Sequence, residues 1–338
     1  MTSRLRLLPL APITLGAAAG GAVLARARAV REVPRTMRIA ALWAPLAISN
    51  PAVLALARRV YGVATAPVDG VEVTVRGLPG GAAVRVHEPV GRTRPSGALL
   101  WVHGGGTVMG SAAQDDLLCS ELARDVGVVV VSVDYRLAPE NPFPTPLDDC
   151  AAALAWLRAS ADELGVDPER IAVGGASAGG LLAAALAQRT ADEGEPVAFQ
   201  LLVYPMLDDR TNLRADHGGR GRFLWTPASN RFGWTSYLGH ELADDGEDRP
   251  YAVPARRTDL AGLPPAWIGV GDLDLFHDED LEYAARLRAA GVACDVHVEP
   301  GMYHAADAFL GDAAPGTARF RAAARAALRA AIGQPAPA

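Results

Sequence analysis

The chain contains the stretch IAVGGASAGGLLAAALAQ at residues 171–188, which joins an apolar run to a helical run through a turn of small residues around Ser177. A serine in the pattern G-x-S-x-G between a strand and a helix is typical of a nucleophile elbow. Gly175 and Gly179 lack the β-carbons that would clash in so tight a turn. A dinucleotide-binding turn would need the spacing G-x-G-x-x-G, which does not occur here. The stretch therefore predicts a nucleophilic Ser177 at the carboxyl end of a strand.

Around this stretch the sequence predicts an α/β fold. Short apolar runs of parallel-strand type, separated by helical patterns, follow one alternating hairpin near residues 71–87. The runs cover residues 98–102, 128–133, 171–173, 199–203, 267–270 and 292–298. Because strands and helices alternate along the chain, we expect a mostly parallel central sheet flanked by helices on both faces.

Composition narrows the classes of partner. The 338 residues, half of them hydrophobic, can form one large core with a small appendage. A net charge of −6 without a long basic run argues against a nucleic-acid partner, and the absence of Lys excludes a Lys-dependent phosphate loop. Cys119, Cys150 and Cys294 have no disulfide-framework or metal spacing and are expected to be buried free thiols.

We expect one catalytic domain under a helical cap. The N-terminal part is rich in Ala and helical in pattern, with Asn50-Pro51 a typical helix start and Gly62 a typical stop. A second polar stretch is too long for an ordinary loop and is expected to be a helical insertion into the cap. The expected divisions are residues 1–66 for the N-terminal cap segment, 67–333 for the catalytic domain with its insertion at about 208–258, and 334–338 for a disordered tail.

Residues 7–25 carry no charge and are flanked by arginines on both sides, which leaves three alternatives. A signal peptide would be cut at small residues such as Ala27-Arg28-Ala29. A membrane anchor would need a more apolar run than this one, which is mostly Ala and Gly and contains Pro9 and Pro12. A soluble cap helix is the third. We expect a cytoplasmic protein, with export or membrane association through residues 7–25 as the alternatives.

A glycine run directly follows the first parallel strand. His103-Gly104-Gly105-Gly106 comes after the strand that ends at Val102, so its backbone N–H groups face the same sheet edge as Ser177. Preorganised N–H donors stabilise the oxyanion that forms in acyl transfer. We therefore expect an oxyanion hole made by Gly104, Gly105 and Ala178.

Two later strand ends carry an acid and a base. A nucleophilic serine needs a histidine to take its proton and a carboxylate to orient that histidine, in the chain order Ser, acid, His. The strand at 267–270 is followed by Asp272 and Asp274, and the strand at 292–298 by His304. His304 is therefore the expected base, and either aspartate fits the acid.

The remaining polar candidates have no such placement. Five histidines are expected at the surface, namely His87, His217, His240, His277 and His297. The pairs Asp208-Asp209 and Asp244-Asp245 lack the spaced partners of a cation site and are expected to be solvated cap charges. We predict no metal site and no cofactor, because protein groups fill every chemical role above.

Several motifs together resemble the bacterial hormone-sensitive-lipase-like carboxylesterases, which have the α/β-hydrolase fold. The resemblance covers roughly residues 68–333. Its motifs are His103-Gly104-Gly105-Gly106, Asp134-Tyr135-Arg136-Leu137-Ala138-Pro139-Glu140 followed by Phe143-Pro144, Gly175 to Gly179, and Tyr204-Pro205. The acid of that family begins an Asp-x-x-x-Asp-Glu pattern, which Asp274 matches and Asp272 does not, so the resemblance selects Asp274. One departure is Ala176, where the family often has Asp or Thr.

The resemblance implies a serine carboxylesterase that acts on short- to medium-chain acyl esters, with a cap over the site. An amidase, deacetylase or lactonase with the same triad is the enzymatic alternative, and a non-catalytic small-molecule receptor on the same scaffold is the alternative from another class. Candidates for lining an acyl or aryl pocket are Trp225, Phe232 and Trp234. The alternative is that they are core residues of the cap. The expected partner is a small-molecule ester, and the oligomeric state is left open, a homo-oligomer included.

Overall fold

The computed structural model describes residues 13–44 and 47–333, and in this part of the chain one sheet of eight strands forms the centre. The strands are β1 (Val71–Gly77), β2 (Ala83–Pro89), β3 (Ser96–Val102), β4 (Val129–Asp134), β5 (Val166–Ala176), β6 (Phe199–Val203), β7 (Ala266–Gly271) and β8 (Cys294–Glu299). Their order across the sheet is β1-β2-β4-β3-β5-β6-β7-β8. β2 pairs antiparallel with β1 and β4, and the remaining neighbours are parallel. The predicted mostly parallel α/β sheet is confirmed.

Helices cover both faces of the sheet. They are α1 (Ile13–Glu32), α2 (Pro51–Val60), α3 (Asp116–Val126), α4 (Thr145–Ala159), α5 (Ala161–Leu164), α6 (Ala178–Asp192), α7 (Pro227–Leu238), α8 (His277–Ala289), α9 (Ala306–Leu310) and α10 (Pro315–Ile332). Successive strand residues point to opposite faces. In β3, Leu99 packs in the core that includes Leu328 of α10, and Leu100 packs in the core that includes Leu181 of α6. The central strands are therefore apolar throughout because both of their faces are covered.

The N-terminal part follows its local signals. Asn50 caps α2, its side chain accepting the N–H of Val53 at 3.0 Å, and α2 ends at Val60 before Gly62, which has φ of 82°. Pro45, the predicted helix break, and residues 334–338 lie outside the described residues, as do residues 7–12 of the uncharged run. Among the residues that the structure describes, no helix combines the length and the hydropathy needed to cross a membrane.

The N-terminal part and the insertion contact each other. The backbone N–H of Ile48 donates to Ser229 in α7 at 3.0 Å, and Arg26 in α1 donates to the carbonyl of Arg222 at 2.6 Å. The insertion contains one α-helix, α7, and two short 3₁₀ turns at Asp209–Leu213 and Pro254–Arg256. The insertion contains less α-helix than predicted. A cap shared by the N-terminal part and the insertion would need contacts of the kind made by Ile48 and Arg26.

Three polar residues that were expected in solvent are buried. Asp208 and Asp209 are both buried, and Asp209 accepts a bidentate ion pair from Arg256 at 2.8 and 2.9 Å. The expectation of solvated charges at this pair was wrong, because the arginine partners offset the cost of burial. The prediction that His87 lies at the surface was also wrong. Its ring, in β2, is fully buried and lies 3.0 Å from the carboxylate of Asp116.

The cysteine prediction is confirmed. Cys119, Cys150 and Cys294 are free and buried. Burial raises the pKa of the Cys119 and Cys150 thiols well above the ordinary value, which keeps them protonated. These thiols are therefore core residues rather than nucleophiles.

Candidate active site

Ser177 occupies a strained turn between β5 and α6. Its φ of 57° and ψ of −119° lie in a region that L-residues avoid, and the turn is held by a 2.9 Å hydrogen bond from its N–H to Val203. A β-carbon on Gly179 would lie 1.9 Å from the carbonyl oxygen of Val102, and one on Gly175 would lie 2.4 Å from Gly179. Glycine is therefore required on both sides of Ser177, and the strain presents the hydroxyl at the strand end.

The structure brings Ser177, His304 and Asp274 together. The Nε2 atom of His304 lies 3.0 Å from the Oγ of Ser177, and its Nδ1 lies 2.8 Å from a carboxylate oxygen of Asp274. With Nδ1–H donating to Asp274, Nε2 is left free to accept the serine proton. The other oxygen of Asp274 accepts the N–H of Phe276 at 3.0 Å. The serine and histidine are each 5% exposed and the aspartate 1%.

Asp272, the alternative acid, serves a different contact. Its carboxylate accepts the backbone N–H of Gly301 at 2.6 Å and makes no contact with His304 among the described residues. The bond ties the end of β7 to the loop that carries His304. Asp272 therefore contacts the chain three residues before His304, whereas Asp274 contacts the His304 ring itself.

The glycine run lies against Ser177. A β-carbon on Gly104 would come within 2.9 Å of the carbonyl of Ala176 and 3.4 Å of the β-carbon of Ser177. Gly105 has φ of 128°, and its carbonyl accepts the N–H groups of Val108 and Met109 at 3.1 Å each. Within the described residues, no protein group accepts the N–H of Gly104 or Gly105. These two donors are thus beside Ser177 and available to a ligand oxygen.

His103, the first residue of this motif, is packed inside the protein. Its ring is fully buried and stacks on Tyr135 with centroids 4.3 Å apart. The hydroxyl of Tyr135 donates to the carbonyl of His103 at 3.1 Å. Burial lowers the pKa of His103, so its imidazole is neutral. The sequence identified His103 only as part of the motif, and its stacking partner, Tyr135, directly follows β4.

The three aromatic pocket candidates have different surroundings. The Trp225 ring lies 6.3 Å from the His304 ring, and its indole N–H donates to Asn230 at 3.1 Å. A β-carbon on Gly106 would lie 2.1 Å from the Trp225 ring, so this tryptophan packs directly on the glycine run. Trp234 is fully buried in the core, and Phe232 is half-buried beside that core. Of the three, only Trp225 has a described contact with the Ser177 site.

A tyrosine packs against His304, and this contact was not predicted from the sequence. Tyr204, which directly follows β6 and has φ of 36°, packs edge-on against His304 with centroids 4.9 Å apart. Its hydroxyl donates to Asp307 at 2.9 Å, and both side chains are buried. Burial raises the pKa of Asp307. The Tyr204-Pro205 motif singled out this position without its role, and nothing local to Asp307 indicated a partner 103 residues away.

A buried glutamate fixes the start of the insertion. Glu279 in α8 accepts the N–H groups of Leu207 and Asp208 at 2.7 and 3.2 Å, and the hydroxyl of Thr211. Burial raises the pKa of Glu279 well above its ordinary value. The Asp-x-x-x-Asp-Glu pattern thus has two uses: Asp274 contacts His304, and Glu279 anchors the chain that enters the insertion.

A strained serine follows the parallel strand β5, a carboxylate follows β7 and a histidine follows β8. This is the arrangement of a serine hydrolase on an α/β sheet. The family model described as the alpha/beta hydrolase fold matches residues 99–308. The chain belongs to this family, and the resemblance to hormone-sensitive-lipase-like carboxylesterases is confirmed.

Curated relatives and solved structures agree with this family. The chain is 38% identical over 240 residues to esterase LipI of Mycobacterium tuberculosis, covering 69% of this chain and 73% of LipI. It is 38% identical over 245 residues to the carboxylic ester hydrolase LipN of the same organism, covering 69% of this chain and 64% of LipN. A solved bacterial heroin esterase is similar with a TM-score of 0.82 and 38% identity, covering 90% of this chain and 99% of that one.

Proposed function

We propose that the chain is a serine carboxylesterase that hydrolyses short- to medium-chain acyl esters through an acyl-enzyme intermediate. The observation that carries the proposal is the hydrogen-bonded series Ser177, His304 and Asp274 on a strained elbow. The relatives named above are ester hydrolases, which supports the same chemistry here. The substrate is a small-molecule ester.

In the first half of the reaction the Oγ of Ser177 attacks the ester carbonyl carbon, and its proton passes to Nε2 of His304. Asp274 stabilises the imidazolium that results and keeps the ring in its orientation. As the tetrahedral intermediate collapses, the bond to the alcohol oxygen breaks, and His304 returns the proton to that oxygen. The acyl group is then bonded to Ser177, and water activated by His304 releases it as the acid.

The oxyanion is held by backbone N–H groups of Gly104, Gly105 and Ala178. The first two are beside Ser177 and have no protein acceptor among the described residues, and Ala178 begins α6, so its N–H is one of the unpaired donors of a helix N-terminus. Each such donor contributes about 10²- to 10³-fold in rate. No metal or cofactor is needed in this scheme.

Limited access to Ser177 favours the shorter acyl groups of this range. Ser177 and His304 are each only 5% exposed, so the path to the nucleophile is narrow. Trp225 packs on the glycine run and faces His304, which supports a role in closing one side of the acyl site. We place Trp225 in this site and leave Trp234 in the core.

Hydrolysis of p-nitrophenyl esters of increasing chain length tests the proposal. We expect turnover that is fastest for the shorter acyl chains, and Ser177→Ala should lower kcat by about 10⁴- to 10⁶-fold. Ser160→Ala, in the turn between α4 and α5, is the matched control and should keep full activity. An organophosphate probe should label the wild type and the control but not Ser177→Ala. Full activity in Ser177→Ala, or no turnover of any ester by the wild type, would overturn the proposal.

A further inference from the structure

Positive charge is concentrated in the N-terminal cap segment. Residues 1–66 contain nine arginines and a single acid, Glu32, so their formal charge is +8. The rest of the chain contains 23 arginines and 37 acids, a formal charge of −14, and the two parts account for the net charge of −6. Such an asymmetry within one chain is typical of proteins that contact a polyanionic surface.

The outward face of α1 carries part of this charge. Leu24, Arg28 and Arg31 are four and three residues apart, which places them on one stripe of the helix, and all three are exposed. Ala29 and Val30 face the other way and are buried. From Arg26 onward the helix therefore has one face that packs on the protein and one basic face turned to solvent, and residues 21–25 before it are exposed on every side.

The arginines on this face have no acidic partner in the described part of the chain. Glu32 is already paired with Arg222 of the insertion at 3.1 Å. Arg28 and Arg31 make no ion pair with any described carboxylate, and the exposed Arg35 that follows the helix makes none either. Their charges are free to interact with an external anion.

Large apolar side chains accompany these cations. Trp43 is 55% exposed, and its neighbours in the chain are bonded to α1: Arg26 donates to the carbonyls of Leu42 and Ala44 at 2.6 and 3.3 Å. Trp43 is thus held close to α1, on which Leu24 is 63% exposed. Tryptophan beside basic residues is the composition preferred at a membrane interface.

We propose that the outward face of α1, defined as Leu24, Arg28 and Arg31 together with Trp43, docks on an anionic phospholipid bilayer. The helix lies in the plane of the interface, with Trp43 and Leu24 entering the head-group region and the arginines contacting lipid phosphates. A second copy of the chain that docks through the same face is disfavoured as occupant, because two faces this basic repel each other. A nucleic acid would satisfy the charge but not the apolar side chains.

Flotation of the full chain with lipid vesicles tests this docking. We expect binding to vesicles of equal parts phosphatidylcholine and phosphatidylglycerol, and little binding to pure phosphatidylcholine. Raising the salt from about 0.1 M to about 1 M shortens the screening length from ~10 to ~3 Å and should release the protein. Equal binding to both kinds of vesicle, no binding to either, or binding that is insensitive to salt would overturn the proposal.

Matched variants separate this face from net charge. Each arginine near an anionic surface contributes ~1 kcal/mol, about fivefold, so Arg28→Gln with Arg31→Gln should weaken binding by about 25-fold. The control pair Arg76→Gln with Arg231→Gln changes the net charge equally at exposed sites outside α1 and should bind as the wild type does. Equal losses in both pairs, or tighter binding to an oligonucleotide than to the vesicles, would refute it. Unchanged hydrolysis of a soluble ester by both pairs verifies their folding.

Discussion

Replacing Asp115 by Asn should stabilise the protein at neutral pH and change little in acid. Asp115 accepts the indole N–H of Trp101 at 2.8 Å, and burial, with a smaller effect from Asp307, raises its pKa from the ordinary 3.8 to about 6. Because the folded pKa is above the unfolded one, the ionised carboxylate destabilises the fold. This cost is absent below pH ~4 and complete above pH ~6.

The expected magnitude follows from the size of that shift. A rise from 3.8 to about 6 corresponds to about 3 kcal/mol at ~1.4 kcal/mol per pH unit. Since Asp115 is only partly buried, solvent screening reduces this to between about 1 and 3 kcal/mol. Asn keeps an oxygen that accepts from Trp101, so the substitution removes the charge and leaves the hydrogen bond.

Urea unfolding of both proteins between about pH 4 and about pH 8 measures the effect. The free energy of unfolding of Asp115→Asn should exceed that of the wild type by an amount that grows between pH ~4 and pH ~6 and then stays level. Asp245→Asn, at an exposed acid of the insertion, is the control and should show no such growth. A difference that is constant with pH, or one that favours the wild type at high pH, would refute the reasoning.

Two further predictions concern the site. Asp274→Asn should lower kcat by about 10⁴-fold, whereas Asp272→Asn, whose remaining amide oxygen can still accept the N–H of Gly301, should lower it by less than about tenfold; equal losses in the ester assay would contradict the choice of acid. Gly106→Ala puts a β-carbon 2.1 Å from the Trp225 ring and should cost more than about 2 kcal/mol of unfolding free energy. Gly70→Ala, with a similar positive φ and open space, isolates the backbone strain, and an equal loss there would exclude the clash.

The sheet and its functional loops could be predicted because their signals are local. Each inner parallel strand contains an apolar run buried on both faces, and the edge strand β8 alternates apolar and polar residues. A residue a few positions past any of these strands lies at the carboxyl edge of the sheet. That logic located Ser177 and His304. It left Asp272 and Asp274 equivalent, because both follow β7 and only their contacts differ: one carboxylate accepts Gly301, the other His304.

Residues whose surroundings come from distant parts of the chain could not be predicted. From the local sequence alone, Asp209 is expected to be a solvated charge. In the fold its partner is Arg256, which lies 47 residues later in the chain. His87 reads as an alternating surface residue of β2, and its burial depends on α3 packing over that strand and supplying Asp116. In each case the local pattern is ambiguous between an exposed charge and a buried pair, and the difference in free energy arises from a partner that tertiary structure supplies.

The position of the nucleophile depends on backbone more than on side-chain packing. The N–H of Ser177 donates to Val203 of β6, and its carbonyl accepts from Leu181 and Met206 at 3.1 and 3.0 Å. Conservative changes of core volume should therefore move Ser177 little, since these bonds are set by the register of β5 and β6. A β-carbon at Gly179 would instead push on the end of β3 itself, within 1.9 Å of Val102. The catalytic geometry is thus most sensitive at positions that bear no functional group.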